Sequence, residues 1–155
     1  MEKKIAIVGG GWAGCAAALA ARKAGCAVEL GMLPRDNRLQ VNGLKNVFCG
    51  GEKAGLLVGH TEAIVTGTLA GHNAARYALG LDLIEIPRSL ACGDAVAYVR
   101  EAMQTREGLT KKYTFSGSVY FERMKDHNLY LTNLEQISRK VAQANMAGFF
   151  ARELR

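Results

Sequence analysis

The feature that most limits what this chain can fold into is a glycine pattern near its N-terminus. Lys4-Ile5-Ala6-Ile7-Val8 is a short apolar, β-branched run that stops abruptly at Gly9-Gly10-Gly11. Such a run reads as a buried parallel strand. Residues 12–24 are Ala-rich, broken only by Gly14, and read as a helix that Gly25 stops at its C′ position. Residues 26–30 are a second strand, so the segment is a β-turn-α-β unit with a right-handed crossover. Gly9-x-Gly11-x-x-Gly14 occupies the turn from the first strand into the helix. In that setting Gly9 permits the tight turn, Gly11 lets the backbone approach a pyrophosphate, and Gly14 lets the helix close on the strand. Free N–H groups and the helix dipole then favour an anion. Gly9, Gly10, Gly11, Trp12, Ala13 and Gly14 are therefore candidate dinucleotide-binding residues. This motif leaves FAD against NAD open, and Trp12 either covers the ligand or packs helix on sheet.

A second glycine cluster follows. Asn46-Val47-Phe48-Cys49 reads as a third strand and runs into Gly50-Gly51-Glu52, with Gly55, Gly59 and a helix over residues 62–79 beyond it. Thr61 is the expected N-cap of that helix and Gly80 its stop. Two Gly-bearing strand ends in one parallel sheet lie side by side, so Gly50, Gly51, Glu52, Gly59, His60 and Thr61 join the candidate ligand site. Residues 31–43, holding Pro34, Arg35, Asp36, Asn37 and Arg38, read as a loop. Further on, residues 89–104 read as a helix. Residues 114–121 and 128–131 read as two strands of a β-hairpin around Lys125-Asp126-His127-Asn128. Thr132-Asn133-Leu134-Glu135 fits a capping box before a last amphipathic helix. The expected architecture is α/β: one compact domain over residues 1–155, Rossmann-like and three-layered. It has a mainly parallel sheet, C-terminal helices and a β-hairpin. Within it, residues 1–30 form the first βαβ, 44–80 the second motif, and 87–155 a helical and hairpin part.

Composition narrows the class. Apolar residues make up 49% of the 155 and charged residues 22%, a globular balance. No apolar run approaches the ~20 residues of a membrane span, and the first residues lead into a glycine turn rather than a signal-peptide core. Cys15, Cys26, Cys49 and Cys92 contain no C-x-x-C pair, which reads as reduced, buried thiols in a cytoplasmic protein. His60, His72 and His127 lack metal-ligand spacing, so no metal is expected. The net charge is +6, and residues 87–155 carry 11 basic against 7 acidic side chains. That surplus suits either a solvated face or an RNA or phosphate-bearing partner. Tyr113, Phe115, Tyr120, Phe121 and Tyr130 lie near Lys111, Lys112 and Lys125. The same choice applies to them, a half-buried hairpin or an RNA-stacking surface.

Together the two motifs resemble the FAD-binding domain of the folate- and FAD-dependent tRNA uridine methyltransferases and the related glucose-inhibited-division-type flavoproteins. The likeness is carried by residues 5–14 and, more specifically, by Leu44-Lys45-Asn46-Val47-Phe48-Cys49-Gly50-Gly51-Glu52-Lys53-Ala54-Gly55. It continues through Gly59-His60-Thr61-Glu62-Ala63 to Gly67-Thr68-Leu69-Ala70-Gly71-His72-Asn73-Ala74-Ala75. The resemblance implies FAD as cofactor. It places Glu52 near the ribityl chain and pyrophosphate, and it points the N-terminus of the following helix at the flavin.

Two departures qualify the likeness. In the family some hundreds of residues separate the two motifs, whereas here fifteen lie between Leu30 and Asn46. The chain reads as the two ends of such a flavoprotein joined near Gly31, a minimised or engineered form. The acid that binds the adenosine ribose in the family pattern falls near Met32, with Glu29 on another strand face and Asp36 the substitute. Losing that charge-assisted bond costs about 1.5–3 kcal/mol. The family's catalytic cysteines belong to the absent middle, and Cys49 suits either a buried packing position or a nucleophile. The expected function is non-covalent FAD binding without specific turnover; any activity would be flavin-dependent oxidoreductase or methyltransferase-like. The alternatives are a working folate/FAD-dependent RNA uridine-5-methyltransferase and a folded scaffold or assembly protein without ligand. Exposed sheet edges make a homodimer the expectation under each.

Overall fold

The computed structural model describes residues 4–8 and 12–154. Its N-terminal unit follows the periodicity. Strand β1 (Lys4–Val8) pairs in parallel with β2 (Ala27–Gly31), in register from Lys4↔Ala27 to Val8↔Gly31. Helix α1 (Trp12–Lys23) connects them and packs on both. It ends where the Cys26 amide reaches back to the Ala21 carbonyl at 3.1 Å, with Gly25 at φ +77°. That is a Schellman stop.

The mainly parallel three-layer sheet is not formed. Among the described residues the only sheet is the two-stranded ribbon β1–β2, and most of the remaining regular structure is helical. Residues 46–49 do not join the ribbon. Instead the Val41 amide donates to the Val47 carbonyl at 2.9 Å and the Cys49 amide to the Leu39 carbonyl at 2.9 Å, an isolated antiparallel contact. The reason is chain length. A parallel neighbour needs a crossover of a dozen or more residues, usually a helix. The fifteen residues after Leu30 hold Pro34 and a polar turn but no helix former run, so the chain folds back on itself.

The long helix α2 (His60–Ala78) is capped two residues earlier than expected: Gly59, not Thr61, is the N-cap. It closes at Gly80 as expected, with the Leu81 amide on the Arg76 carbonyl at 2.9 Å and the Gly80 amide on the Tyr77 carbonyl at 3.1 Å. Buried Asn73 ties it to its surroundings. The Asn73 amide donates to the Arg38 and Ile84 carbonyls and its Oδ1 accepts from the Ile84 amide. Helix α3 (Ala91–Ala102) occupies the expected place.

The hairpin is also absent. Residues 119–126 form helix α4 (Val119–Asp126), capped by Ser118, whose hydroxyl accepts from the Tyr120 amide at 3.2 Å. Tyr120 and Met124, four apart and both buried, supply the helical period that the alternating reading of residues 114–121 overlooked. The polar turn is real, but it is the end of α4. The Leu129 amide bonds the Met124 carbonyl at 2.7 Å past Asn128 at φ +53°. The last helix, α5 (Leu134–Gln143), is capped by Asn133, which accepts from the Gln136 amide, rather than by Thr132.

Two apolar clusters hold the fold. Leu39, Val41, Cys49, Ala54, Leu69, Ala70 and Val96 form one, and Leu57, Ala95, Val99, Tyr113, Tyr120 and Met124 the other. Helix α3 contributes to both, so it joins the second glycine motif to the C-terminal helices. Asp94 on α3 holds Arg123 of α4 through bonds of 2.8 and 2.9 Å.

Candidate functional site

The Gly50–Glu52 turn is clasped to α2. Gly50 lies against the helix backbone so closely that a Cβ there would stand 3.1 Å from the Gly67 nitrogen and 3.2 Å from the Gly67 Cα and the Thr66 carbonyl carbon. No side chain is accommodated without moving backbone. The next amide, Gly51 N–H, donates to the Thr66 hydroxyl at 2.7 Å, and that hydroxyl donates to the Glu62 carbonyl at 2.7 Å. A 3-10 turn (Gly51–Ala54) then carries Glu52 and Lys53 outward, both exposed. Glu52 has no ion-pair partner among the described residues. Its carboxylate is free to accept hydrogen bonds from a ligand.

Helix α2 starts a few residues later. Gly59 has φ +140°, a conformation that L side chains rarely adopt, and a Cβ there would collide with the Glu62 carboxylate. Glu62 is buried and accepts from the Phe115 amide at 2.5 Å. A carboxylate in the first turn already satisfies the positive end of the helix dipole. This end of α2 is thus suited to a neutral hydrogen-bonding group more than to a second anion. His60 and Thr61 are exposed at the same end.

Gly9, Gly10 and Gly11 lie outside the described residues. Trp12, Ala13 and Gly14 form the first turn of α1. The connection between the motifs is nevertheless short. Val8, the residue before Gly9, pairs with Gly31, and two residues beyond Gly31 the Leu33 amide donates to the Lys53 carbonyl at 3.1 Å. A two-residue step spans at most about 7 Å.

Other candidates resolve differently. Asp36 shapes its own turn, its Oδ1 accepting from the Arg38 and Gln40 amides at 2.9 and 3.0 Å. Cys49 is buried in the core, and burial pushes its thiol pKa up against the pull of Arg35. Burial raises Cys92 likewise. Neither is an activated thiolate. Cys26 and Cys92 are half-buried rather than buried. His72 packs its ring on Phe149 and Phe150, and no cluster of metal ligands occurs among the described residues. Of the aromatic set, Tyr113 and Tyr120 are core residues, Phe115 and Phe121 are half-buried, and only Tyr130 is exposed.

The description "Glucose inhibited division protein A" matches two segments, residues 4–37 and 31–82, which together cover just over half of the chain. The chain belongs to this family. Among curated relatives, a methylenetetrahydrofolate–tRNA-(uracil-5-)-methyltransferase, TrmFO, of Fervidobacterium nodosum is 34% identical over 71 residues, 46% of this chain and 16% of that protein. The enzyme of the same name from Lysinibacillus sphaericus is 40% identical over 63 residues, 41% of this chain and 14% of the relative. The matched part thus spans about a sixth or less of these relatives' length. No solved structure matches significantly. No helix among the described residues is long and apolar enough to cross a membrane.

Sequence reasoning missed three residues that hold the Gly50–Glu52 turn and the start of α2 in place. Thr66 gave no signal beyond its place in a helix, and Glu62 entered only as part of the string that carries the resemblance. Arg35 looked like a loop cation, yet it is 2% exposed and lies beneath the 3-10 turn with Nε on the Ala54 carbonyl at 2.8 Å. A Pro-Arg-Asp string in a polar stretch carries no mark of burial.

Proposed function

We propose that this chain binds FAD non-covalently. The observation that carries the reading is the short step between the glycine motifs: Val8 pairs with Gly31, and Leu33 bonds the residue next to Glu52. One extended ligand can therefore reach both. The turn Gly9-Gly10-Gly11 with Trp12, Ala13 and Gly14 at the start of α1 takes the pyrophosphate. Gly50, Gly51 and Glu52 take the ribityl chain, with the free Glu52 carboxylate accepting from its hydroxyls. Gly59, His60 and Thr61 approach the flavin at an end of α2 that Glu62 has already neutralised. When bound, FAD supplies redox chemistry of its own; the protein binds and orients it. Two separate family matches that overlap at residues 31–37 support the joined-ends reading, and the family supports FAD over NAD.

The test is the absorption spectrum of purified protein after FAD is added and the excess removed. Flavin bands near one cofactor per chain are expected. Gly11→Val, which puts a side chain where the pyrophosphate must approach the backbone, should abolish them. Unchanged retention in Gly11→Val would refute the placement, and no retention by folded wild-type protein would refute FAD binding.

A further inference from the structure

Arg35 is a buried cation that makes no ion pair among the described residues. Its guanidinium donates to three backbone carbonyls, those of Ala54 and Val96 at 2.8 Å and Asp36 at 3.2 Å, and to no carboxylate. Its second terminal nitrogen, Nη2, is buried without a hydrogen-bond partner among the described residues. Buried charges are ordinarily paired, because desolvating an ion costs several kcal/mol. Here a second cation aggravates the cost. Burial, with Arg100 acting in the same direction, lowers the Arg35 pKa to about 10 against the opposing pull of Cys49 and Asp36. Arg35 remains charged at neutral pH.

Both arginines line one cavity of about 460 Å³, together with Met32, Pro34, Met103, Gln104 and Leu109. That volume is within the ~300–1,000 Å³ of small-molecule sites. Among the described residues no acidic one lines it. Two guanidinium groups match a doubly charged phosphate, whose oxygens accept their planar forks. The methionines, Pro34 and Leu109 offer an apolar wall for whatever body the phosphate is attached to. The cavity lies just past the C-terminal end of β2, which Met32 follows directly.

We infer that the Arg35–Arg100 cavity binds a phosphomonoester, its phosphate dianion on the two guanidinium groups and its apolar body on the Met32–Met103–Leu109 wall. The site is formed by side chains outside the glycine motifs, and through Met32 it adjoins the position where the family pattern puts the ribose acid.

The experiment is calorimetric titration of flavin-free protein with phenyl phosphate, inorganic phosphate and phenol. Phenyl phosphate should saturate with a Kd at or below the millimolar range, tighter than inorganic phosphate, and phenol should give no saturable binding. Arg35→Met should abolish the binding. Should that variant fail to fold, Arg100→Gln decides the matter, because the Arg100 side chain is exposed and makes no hydrogen bond or ion pair among the described residues. It should keep the wild-type urea midpoint and weaken phenyl phosphate on the order of tenfold. No saturation by phenyl phosphate below about 10 mM, or equal binding by Arg100→Gln, would overturn the proposal. No flavin is present in this titration, so its failure is separate from any failure of FAD binding.

Discussion

Asp94→Asn tests what holds α3 to the C-terminal helices. The Asp94 carboxylate is 4% exposed and accepts a two-pronged bond from Arg123, Nε to Oδ2 at 2.8 Å and Nη2 to Oδ1 at 2.9 Å. The Tyr120 hydroxyl lies 3.3 Å from Oδ2 while donating to the Ala91 carbonyl at 2.6 Å. Arg88 approaches only to 3.4 Å from a side chain that is 47% exposed, so its share is about 0–1 kcal/mol. The Arg123 pair dominates. Removing one partner of a buried pair costs about 3–5 kcal/mol, since the other charge is left behind. Arg123 is 21% exposed and stacks over the Tyr98 ring at 4.5 Å, so water and the ring recover part of the loss. The expected cost is about 3 kcal/mol, a large share of the ~5–15 kcal/mol that stabilises a domain.

Urea unfolding at pH 7 measures it. A cost under about 1 kcal/mol would refute the assignment of Asp94 as a buried, paired anion. The double change Asp94→Leu with Arg123→Met should cost less than Asp94→Asn alone, because it leaves no orphan charge. Acid gives an independent check. Burial works to raise the Asp94 pKa, but the bonds and charges of Arg123 and Arg88 outweigh it and hold the carboxyl below its ordinary value. Its stabilisation is therefore complete above the unfolded-state pKa of about 3.9 and fades as pH falls through the lower native value. Asp94→Asn should lose that part of the acid dependence, and an identical acid profile would contradict the sign of the shift.

Three further outcomes follow from the same geometry. Gly50→Ala forces a Cβ to within 3.1–3.2 Å of α2 backbone atoms, so it should cost about 1–3 kcal/mol in urea and lower FAD retention relative to wild type. Ser118→Ala removes the α4 N-cap and should cost about 1 kcal/mol by the same assay, with no change in flavin absorbance. Cys49, buried and with its pKa raised, should react with a thiol reagent at pH 8 at least about tenfold more slowly in the native protein than in urea. Equal rates would place the thiol at the surface.

What could be read in the sequence was what is encoded locally. The Ala-rich runs, Gly25 and Gly80 fix α1, α2 and their ends, and each stop is a backbone bond between residues five apart. The β1–α1–β2 unit is equally local. The sheet is not, because a strand at residues 46–49 acquires its partner from the length of chain that precedes it, and this chain gives it Leu39–Val41 instead of β1 or β2. The misread hairpin has a narrower cause. Val119, Tyr120 and Phe121 are as apt for a strand as for a helix, and the decision fell to Ser118 as cap and to the Tyr120–Met124 pair reaching the core. The candidate site divides along the same line. Gly50 and Gly59 were marked by residue type, since a close approach and a positive φ both require glycine. Arg35 was not, because its burial depends on carbonyls from residues 54 and 96 that only the folded chain assembles around it.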